Sequence, residues 1–179
     1  MLTRLNARSI GSTNISSSKE QPKVLQFVQE SLIHATPARV FAFHELPDAI
    51  NRLLPPWEKA RIIQAAPNLQ VGSRAIIDTK LFGFFTVRWI AEHTAYDPPR
   101  MFEDMQIKGP FHFWRHRHIV LPHETGASLR DEIEYEPPFG FPGKLFAPAL
   151  IAPQLKRMFE YRHETTRRWC EGGENSLQF

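Results

Sequence analysis

The stretch "FHFWRHRHIV", residues 111–120, alternates aromatic and imidazole side chains with arginines. Trp114, His116 and His118 occupy every second position, and arginines fill the gaps between them. Because alternate residues of a β-strand point to opposite faces of its sheet, the pattern predicts a strand with a Trp-His-His face and an arginine face. The segment that follows it in the sequence shows which face is buried.

That segment, Ser128–Glu136, is a second predicted strand, and its two faces differ sharply in charge. One face carries Leu129, Asp131, Ile133 and Tyr135, and the other carries Arg130, Glu132, Glu134 and Glu136. A face made only of charged residues belongs in water. The sequence therefore places Asp131 on the inner face, among apolar neighbours.

Two predicted hairpins determine how these strands pair. One turn is centred between Glu124 and Thr125, and the other lies near Pro110. The expected inner pairs are His118–Asp131, His116–Ile133, Trp114–Tyr135, Asp104–His116 and Gln106–Trp114. The expected outer pairs are Arg117–Glu132, Arg115–Glu134 and Glu103–Arg117. Opposite charges face each other on the outside, which favours this register over a slip by one residue.

The remaining pattern predicts an α+β chain. The expected strands are Lys23–Ile33, Glu58–Ala65, Ser73–Phe82, Phe84–Thr94 and Arg100–Ile107, with a turn at Tyr96–Pro99. Short helices begin at Pro37, capped by Thr36, and at Pro47, and a long helix runs from Ile151 to Cys170. We expect residues 1–22 to form a flexible arm, 23–171 one domain and 172–179 a tail.

Composition excludes several classes of protein. The chain has 179 residues and a net charge of +3, and its arginines are interspersed with acids, so we expect no nucleic-acid partner. Cys170 is the single cysteine, which rules out an internal disulfide and favours the cytoplasm. The apolar stretch from Leu145 is too short for stable membrane insertion. The absence of acids before Glu20 also fits a transit peptide, although no amphipathic stripe supports one.

Three motifs carry a resemblance to a known family: "FEDMQIKGPFHFWRHRHIV", "GASLRDEIEYEPPFG" and "LKRMFEYRHE". With the order of elements, they resemble a bacterial ligand-binding branch of the START-like, or SRPBCC, superfamily. That superfamily includes the birch-pollen allergen and the polyketide cyclase/dehydrase-like proteins. The resemblance implies a helix-grip fold, in which a curved seven-stranded antiparallel sheet surrounds a long C-terminal helix. Two short helices follow strand 1, and a cavity lies between sheet and helix.

The resemblance and the inner face together predict a binding site for a small hydrophobic molecule. A lipid-, polyketide- or isoprenoid-like ligand fits, and we favour a carrier or sensor over an enzyme. We expect the ligand-binding residues to be Trp89, Phe102, Asp104, Gln106, Trp114, His116, His118, Asp131, Ile133 and Tyr135. We expect no cofactor, and the oligomeric state stays open.

The histidines and aspartates of the inner face have four interpretations. They bridge strands, orient the polar end of a ligand, act in acid-base catalysis, or bind a metal ion. Catalysis, by a cofactor-free cyclase, dehydratase or hydrolase, has candidates in His116, His118, Asp104 and Asp131. For a metal, Asp104, Asp131 or His93 would complete the site, but two alternating histidines are a weak signal, and we expect none.

Two further predictions concern the surface. Trp57 and Phe139 lie in proline-rich loops and are expected at the cavity rim. The basic residues of the last helix are expected to form a solvated face. They are Lys156, Arg157, Arg162, Arg167 and Arg168.

Overall fold

The computed structural model of the chain describes residues 24–81, 85–137 and 149–172. The strands are β1 (Leu25–Ile33), β2 (Arg61–Gln64), β3 (Arg74–Leu81), β4 (Phe85–Asp97), β5 (Met101–Lys108), β6 (Phe113–His123) and β7 (Gly126–Glu136). The helices are α1 (Pro37–His44), α2 (Ala49–Arg52) and α3 (Ala152–Glu171). The predicted arm (1–22), Phe139 and most of the predicted tail lie outside the described residues.

The strands form one seven-stranded sheet in the order β1-β7-β6-β5-β4-β3-β2. Every neighbouring pair is antiparallel, so successive strands from β2 to β7 form a meander and β1 pairs with β7. This is the predicted helix-grip architecture, with both short helices after β1 and the long helix last.

The register of β5, β6 and β7 confirms the predicted pairs, with one exception. His118 lies opposite Asp131 and Asp104 opposite His116, as the charge pattern requires. Gly126, at φ +155°, closes the β6–β7 turn where a side chain would collide with the Ile33 carbonyl oxygen. A glycine at this position therefore keeps β1 in close contact with the turn.

The predicted Gln106–Trp114 pair is wrong, because the β5–β6 ladder ends one residue earlier, at Met105–Arg115. The side-chain amide of Gln106 instead donates to the Phe111 carbonyl at 2.7 Å and accepts from the Phe111 N–H at 3.3 Å. The Gln106 side chain thus replaces backbone hydrogen bonds between β5 and β6. The connection between these two strands is longer than predicted.

Strand β4 is also longer than predicted, since it continues to Asp97 and the turn follows it. Tyr96, expected in the turn, pairs with Phe102. The β4–β5 ladder has two register shifts, at Ile90/Ala91 and at His93/Ala95. Bulges of this kind bend a strand and increase its twist, and they lie on the part of the sheet that borders the cavity.

Helix α1 begins where the sequence indicates, whereas α2 begins at Ala49, two residues after the predicted Pro47. The Thr36 hydroxyl accepts from the Arg39 N–H at 3.3 Å, and Pro37 is the first residue of α1. Pro153 falls in the first turn of α3, where its missing N–H costs nothing, and a turn at Ile151 separates α3 from the helical residues Ala149 and Leu150. Pro148 lies outside the described residues.

Two groups of buried side chains hold the helices on the sheet. One contains Ile33, Val40, Phe41, Phe43, Phe102, Val120, Ala127, Leu129 and Cys170, and it joins α1 to β6, β7 and the end of α3. The other contains Trp114, Ile133, Tyr135, Leu155 and Phe159, and it joins the first half of α3 to the inner face of β6 and β7. The cavity begins beside these groups, toward β2–β5.

Candidate functional site

A cavity of about 260 Å³ lies between α1, α2, α3 and the inner face of β2–β6. Most of its wall is apolar, and the apolar residues are Leu46, Pro47, Ala49, Ile50, Leu53, Leu54, Ala60, Ile62, Ala65, Ala66, Leu69, Ala75, Ile77, Trp89, Ala91, Phe102, Trp114 and Met158. Its polar residues are His44, Glu58, Thr79, His93, Asp104, His116, His118 and Arg162. A largely apolar wall with a few convergent polar groups is typical of small-molecule sites.

Small side chains leave this space open. Ala75 and Ala91 face each other across the β3–β4 ladder, and both line the cavity. Trp89 and Trp114 border it with their rings 5.0 Å apart and nearly perpendicular. The cavity wall therefore combines rigid aromatic side chains with a floor of small alanine side chains on β3 and β4.

Asp131 lies beneath the polar end of the cavity, with only 4% of its side chain exposed. Its Oδ1 lies 2.9 Å from Nε2 of His116 and 2.9 Å from Nδ1 of His118. Its Oδ2 lies 2.7 Å from Nε2 of His163, which α3 contributes. One buried carboxylate thus contacts three imidazoles and ties the long helix to β6 and β7.

Asp104 approaches the same two strand histidines from β5. Its Oδ2 lies 3.3 Å from Nε2 of His118 and 3.5 Å from Nδ1 of His116. Each of these histidines therefore contacts Asp131 with one ring nitrogen and Asp104 with the other. Their rings are 3.7 Å apart, and the Phe102 ring stacks on His118 at 4.0 Å. We call Asp104, His116, His118, Asp131 and His163 the His/Asp cluster.

Charge within the His/Asp cluster is distributed unevenly. Burial by itself would raise the pKa of Asp131, but the His118 charge and hydrogen bonds from three histidines hold that pKa well below its usual range. Burial by itself would lower the pKa of His118, but the charge of Asp131 and the hydrogen bonds to both carboxylates outweigh burial and raise it. Burial, assisted by His118, lowers the pKa of His116. His118 is therefore the imidazole that holds a proton most readily.

Two further histidines border this end of the cavity. Burial, together with the charge of His118, lowers the pKa of His44 to about 3, and its Nδ1 lies 3.0 Å from the Val40 carbonyl oxygen. Burial also lowers the pKa of His93, whose Nδ1 is buried without a hydrogen-bond partner among the described residues. Both imidazoles are thus neutral at neutral pH.

Arg162 corrects a sequence-based prediction. It was expected on the solvated face of the last helix, but its side chain lines the cavity and its Nε donates to the Leu53 carbonyl at 3.2 Å. Burial lowers the pKa of its guanidinium, while Asp131 and Asp104 favour the charged form. The two buried carboxylates attract this cation away from solvent, and helical periodicity alone does not reveal that attraction. Lys156, Arg157 and Arg168 are exposed, as expected.

The ten residues predicted to bind ligand separate into two groups. Trp89, Phe102, Asp104, Trp114, His116 and His118 line the cavity. Gln106, Asp131, Ile133 and Tyr135 do not: Ile133 and Tyr135 pack in the core against α3, Gln106 bonds to Phe111, and Asp131 lies behind the two strand histidines. Trp57, expected at the rim, packs its ring against Tyr161 at 5.3 Å and under Arg157 at 4.1 Å.

Sequence reasoning missed His44 and His163 as members of this region. A signal existed for His163, because it lies four residues after Phe159 on the stripe of α3 that continues to Thr166 and Cys170, all of them buried. No comparable signal marked His44, a single histidine on a short apolar helix whose approach to His118 depends on how α1 packs.

Comparison with known proteins agrees with this architecture. Residues 33–162 match the family described as "Polyketide cyclase / dehydrase and lipid transport". The chain belongs to this family. The match spans most of the described domain and confirms the resemblance noted from the sequence motifs. No curated protein sequence matches the chain significantly.

Solved structures with this fold have diverged far in sequence. TTHA0849 from Thermus thermophilus is 17% identical, with a TM-score of 0.65 over 84% of this chain and 99% of that one. The nucleoside-diphosphate sugar epimerase from Corynebacterium glutamicum is 20% identical, with a TM-score of 0.63 over 79% of this chain and 28% of that one. The di-domain ARO/CYC StfQ of the steffimycin biosynthetic pathway is 13% identical, with a TM-score of 0.65 over 83% of this chain and 51% of that one.

These similarities establish the fold and the ligand-binding and cyclase superfamily, and they leave the ligand to be inferred from the cavity itself. None of the helices in the described part of the chain is long and apolar enough to cross a membrane.

Proposed function

We propose that the protein binds a small, mostly apolar molecule with one polar end, as a carrier or sensor. The cavity carries this proposal: its wall is largely apolar, and six of its eight polar residues lie on α1, α3 and β4–β6. A lipid-, polyketide- or isoprenoid-like ligand has this division of character. The volume of about 260 Å³ lies just below the roughly 300–1,000 Å³ of most small-molecule pockets, which favours a compact ligand.

The polar end suits an oxygen-bearing group. The Arg162 guanidinium brings N–H donors to the cavity, and the unpartnered Nδ1 of His93 is a further buried polar atom in its wall. An unpaired buried polar atom is costly, so a ligand hydroxyl, carbonyl or carboxylate that bonded to these groups would gain affinity. The aromatic side chains of Trp89 and Trp114 would hold the apolar body.

Native mass spectrometry of freshly purified protein, followed by organic extraction, tests this proposal directly. We expect a bound apolar molecule, and we expect apolar fluorescent probes to bind and to quench tryptophan emission. Ala91→Phe fills the floor of the cavity and should reduce probe affinity at least tenfold. Val28→Phe is the matched control, because Val28 is 45% exposed on β1.

Two results would contradict the proposal. One is an empty protein that binds no probe. The other is equal probe affinity in wild type and Ala91→Phe. A comparison of Trp89→Phe with Trp57→Phe tests where the probe binds, since only Trp89→Phe removes a tryptophan of the cavity wall. Quenching lost in Trp57→Phe alone would place the probe on the surface of α3.

A second candidate function is a cofactor-free cyclase, dehydratase or hydrolase. The observation that favours it is His116, which is neutral at neutral pH, oriented by Asp131 at 2.9 Å and open to the cavity. That is the arrangement of a general base. His116→Gln should then abolish turnover of an aryl ester or polyketone while leaving probe binding within a factor of about three. Equal turnover in wild type and His116→Gln would exclude this role.

A further inference from the structure

Three possible metal ligands converge where the cavity meets β5 and β6. Asp104, His116 and His118 each place one ligand atom within 4.8 Å of the other two. Asp104 Oδ2 lies 3.5 Å from His116 Nδ1 and 3.3 Å from His118 Nε2. Zn²⁺ binds nitrogen and oxygen at about 2.0–2.2 Å in a tetrahedron, which places neighbouring ligand atoms roughly 3.4 Å apart. These two separations already match a zinc tetrahedron.

The other nitrogen of each histidine faces a supporting carboxylate. His116 Nε2 and His118 Nδ1 both lie 2.9 Å from Asp131 Oδ1, on the side away from Asp104. Metal-binding histidines almost always donate their second ring N–H to such a group, which sets the tautomer and holds the ring in place. His163 in turn donates to Asp131 Oδ2 at 2.7 Å and holds the carboxylate itself.

When both imidazoles are neutral, His116 Nδ1, His118 Nε2 and Asp104 Oδ2 direct their lone pairs at one small space between them. An ionised carboxylate only accepts hydrogen bonds, so the nitrogens that face Asp131 carry the hydrogens. His118, which holds a proton most readily, donates its second hydrogen to Asp104, so a metal ion that binds here displaces that proton. With both imidazoles neutral, lone pairs remain on His116 Nδ1 and His118 Nε2, and a cation between these atoms and Asp104 Oδ2 is attracted by all three.

We propose that Asp104, His116 and His118 bind one divalent transition-metal ion, preferentially Zn²⁺. The ligand set of two imidazoles and one carboxylate suits zinc, and the two buried carboxylates balance its charge. All three ligands line the cavity, so the fourth position opens into it. The sequence offered Asp104, Asp131 and His93 as candidates to complete such a site, and the structure selects Asp104 as the third ligand and makes Asp131 the supporting carboxylate.

The fourth position would take water or an oxygen of the cavity's ligand. This part of the inference rests on the proposed function, whereas the metal site itself does not. Arg162 also lines the cavity and adds a positive charge to the occupied site, which favours an anionic oxygen such as a carboxylate or enolate. A ligand with such a group should bind the zinc-loaded protein more tightly than the metal-free protein.

The experiment uses the metal alone as the probe. The full chain is freed of metal with a chelator, then titrated with Zn²⁺ by calorimetry and with Co²⁺ by visible absorption. We expect one ion per chain, the intense absorption of tetrahedral Co²⁺ and proton release that depends on buffer. Asp131→Asn should weaken binding about 10–100-fold through the supporting shell. Asp104→Asn and His118→Ala, which each remove a ligand, should weaken it further.

Control variants separate this site from adventitious binding. His112→Ala and His123→Ala remove exposed histidines and should leave zinc affinity unchanged. Circular dichroism of each metal-free variant monitors folding, and the isosteric Asp104→Asn decides the question if His118→Ala does not fold. The proposal is overturned if wild type binds no Zn²⁺, if Asp104→Asn binds as tightly as wild type, or if an exposed-histidine variant loses binding. Probe binding by the metal-free protein tests the proposed function separately.

Discussion

The two faces of β5, β6 and β7 carry alternating acidic and basic groups in opposite environments. On the outer face, Arg115, Arg117 and Arg130 meet Glu103, Glu132 and Glu134 at 2.6–3.4 Å, with 16–33% of each side chain exposed. On the inner face, two aspartates meet three histidines at 2.7–3.5 Å, with 2–16% of each side chain exposed. The same strands therefore hold two charge networks that differ mainly in their access to water.

This difference shows that the distance between two charged groups does not by itself determine how much their contact stabilises the folded protein. Arg117 contacts Glu103, Glu132 and Glu134, so the loss of one partner leaves two others and water. Asp131 contacts three imidazoles and is almost entirely removed from solvent, so the loss of its charge leaves buried donors without a partner. Removing one partner of a buried charged pair costs several kcal/mol, whereas exposed pairs contribute little.

The largest expected effect is that of Asp131→Asn. In metal-free protein at neutral pH, this change should lower the free energy of unfolding by about 3–5 kcal/mol, because an amide cannot accept from three imidazoles. The measurement is urea unfolding followed by circular dichroism. A loss below about 1 kcal/mol would show that water reaches Asp131 and would remove the contrast between the two faces.

His163→Leu tests the connection between α3 and the inner face. It removes one charge-assisted hydrogen bond to Asp131, and unfolding should become easier by about 1.5–3 kcal/mol. Arg168→Leu, on the exposed side of the same helix, is the control and should stay within about 0.5 kcal/mol of wild type. Equal effects of the two changes would mean that the His163–Asp131 contact contributes no stability.

We expect His44 to make the folded protein less stable in acid. Its pKa of about 3 in the folded protein lies below the ordinary 6.5, so protons bind the unfolded chain first as the pH falls. The stability that neutral His44 contributes is present above about pH 6.5 and is lost progressively toward pH 3. At pH 5 the loss is about 2 kcal/mol relative to pH 8, since each pH unit below 6.5 is worth about 1.4 kcal/mol.

His44→Phe isolates this contribution, because His118, Asp131 and His163 act on His44 and also titrate. The difference in unfolding free energy between pH 8 and pH 5, measured in chelator, should be smaller in the variant than in wild type by about 2 kcal/mol. An identical pH dependence would indicate that His44 is protonated, and hence hydrated, in the folded protein.

The smallest expected effect is that of Glu132→Gln on the outer face. Glu132 contacts Arg117 at 3.4 Å and Arg130 at 2.8 Å, with 27% of its side chain exposed. Its removal should cost at most about 1 kcal/mol, and added salt should reduce that cost. If Glu132→Gln proved more damaging than Asp131→Asn, the energetic ranking of the two faces would be reversed.

The sequence-based predictions were right where interactions between residues close in sequence determine the structure. The all-charged face of Ser128–Glu136 identified the inner side, and the turns near Pro110 and at Glu124–Thr125 set the pairing of His118 with Asp131 and of Asp104 with His116. It failed at Gln106, whose side chain replaces ladder hydrogen bonds, and at Tyr96, where β4 continues beyond the expected turn. Both failures lie at strand ends, where several hydrogen-bonding patterns have similar energies.

The amino-acid sequence by itself therefore determined the order of the strands, their register in β5–β7, the buried face and the family. Side-chain alternation, charge pairing and turn geometry act between residues close in sequence and need no knowledge of the rest of the chain. Only the tertiary structure decided that His163 and Arg162 of α3 and His44 of α1 join the polar end of the cavity. Their positions depend on how each helix rotates as it packs on the sheet, and that rotation is set by contacts between residues far apart in sequence.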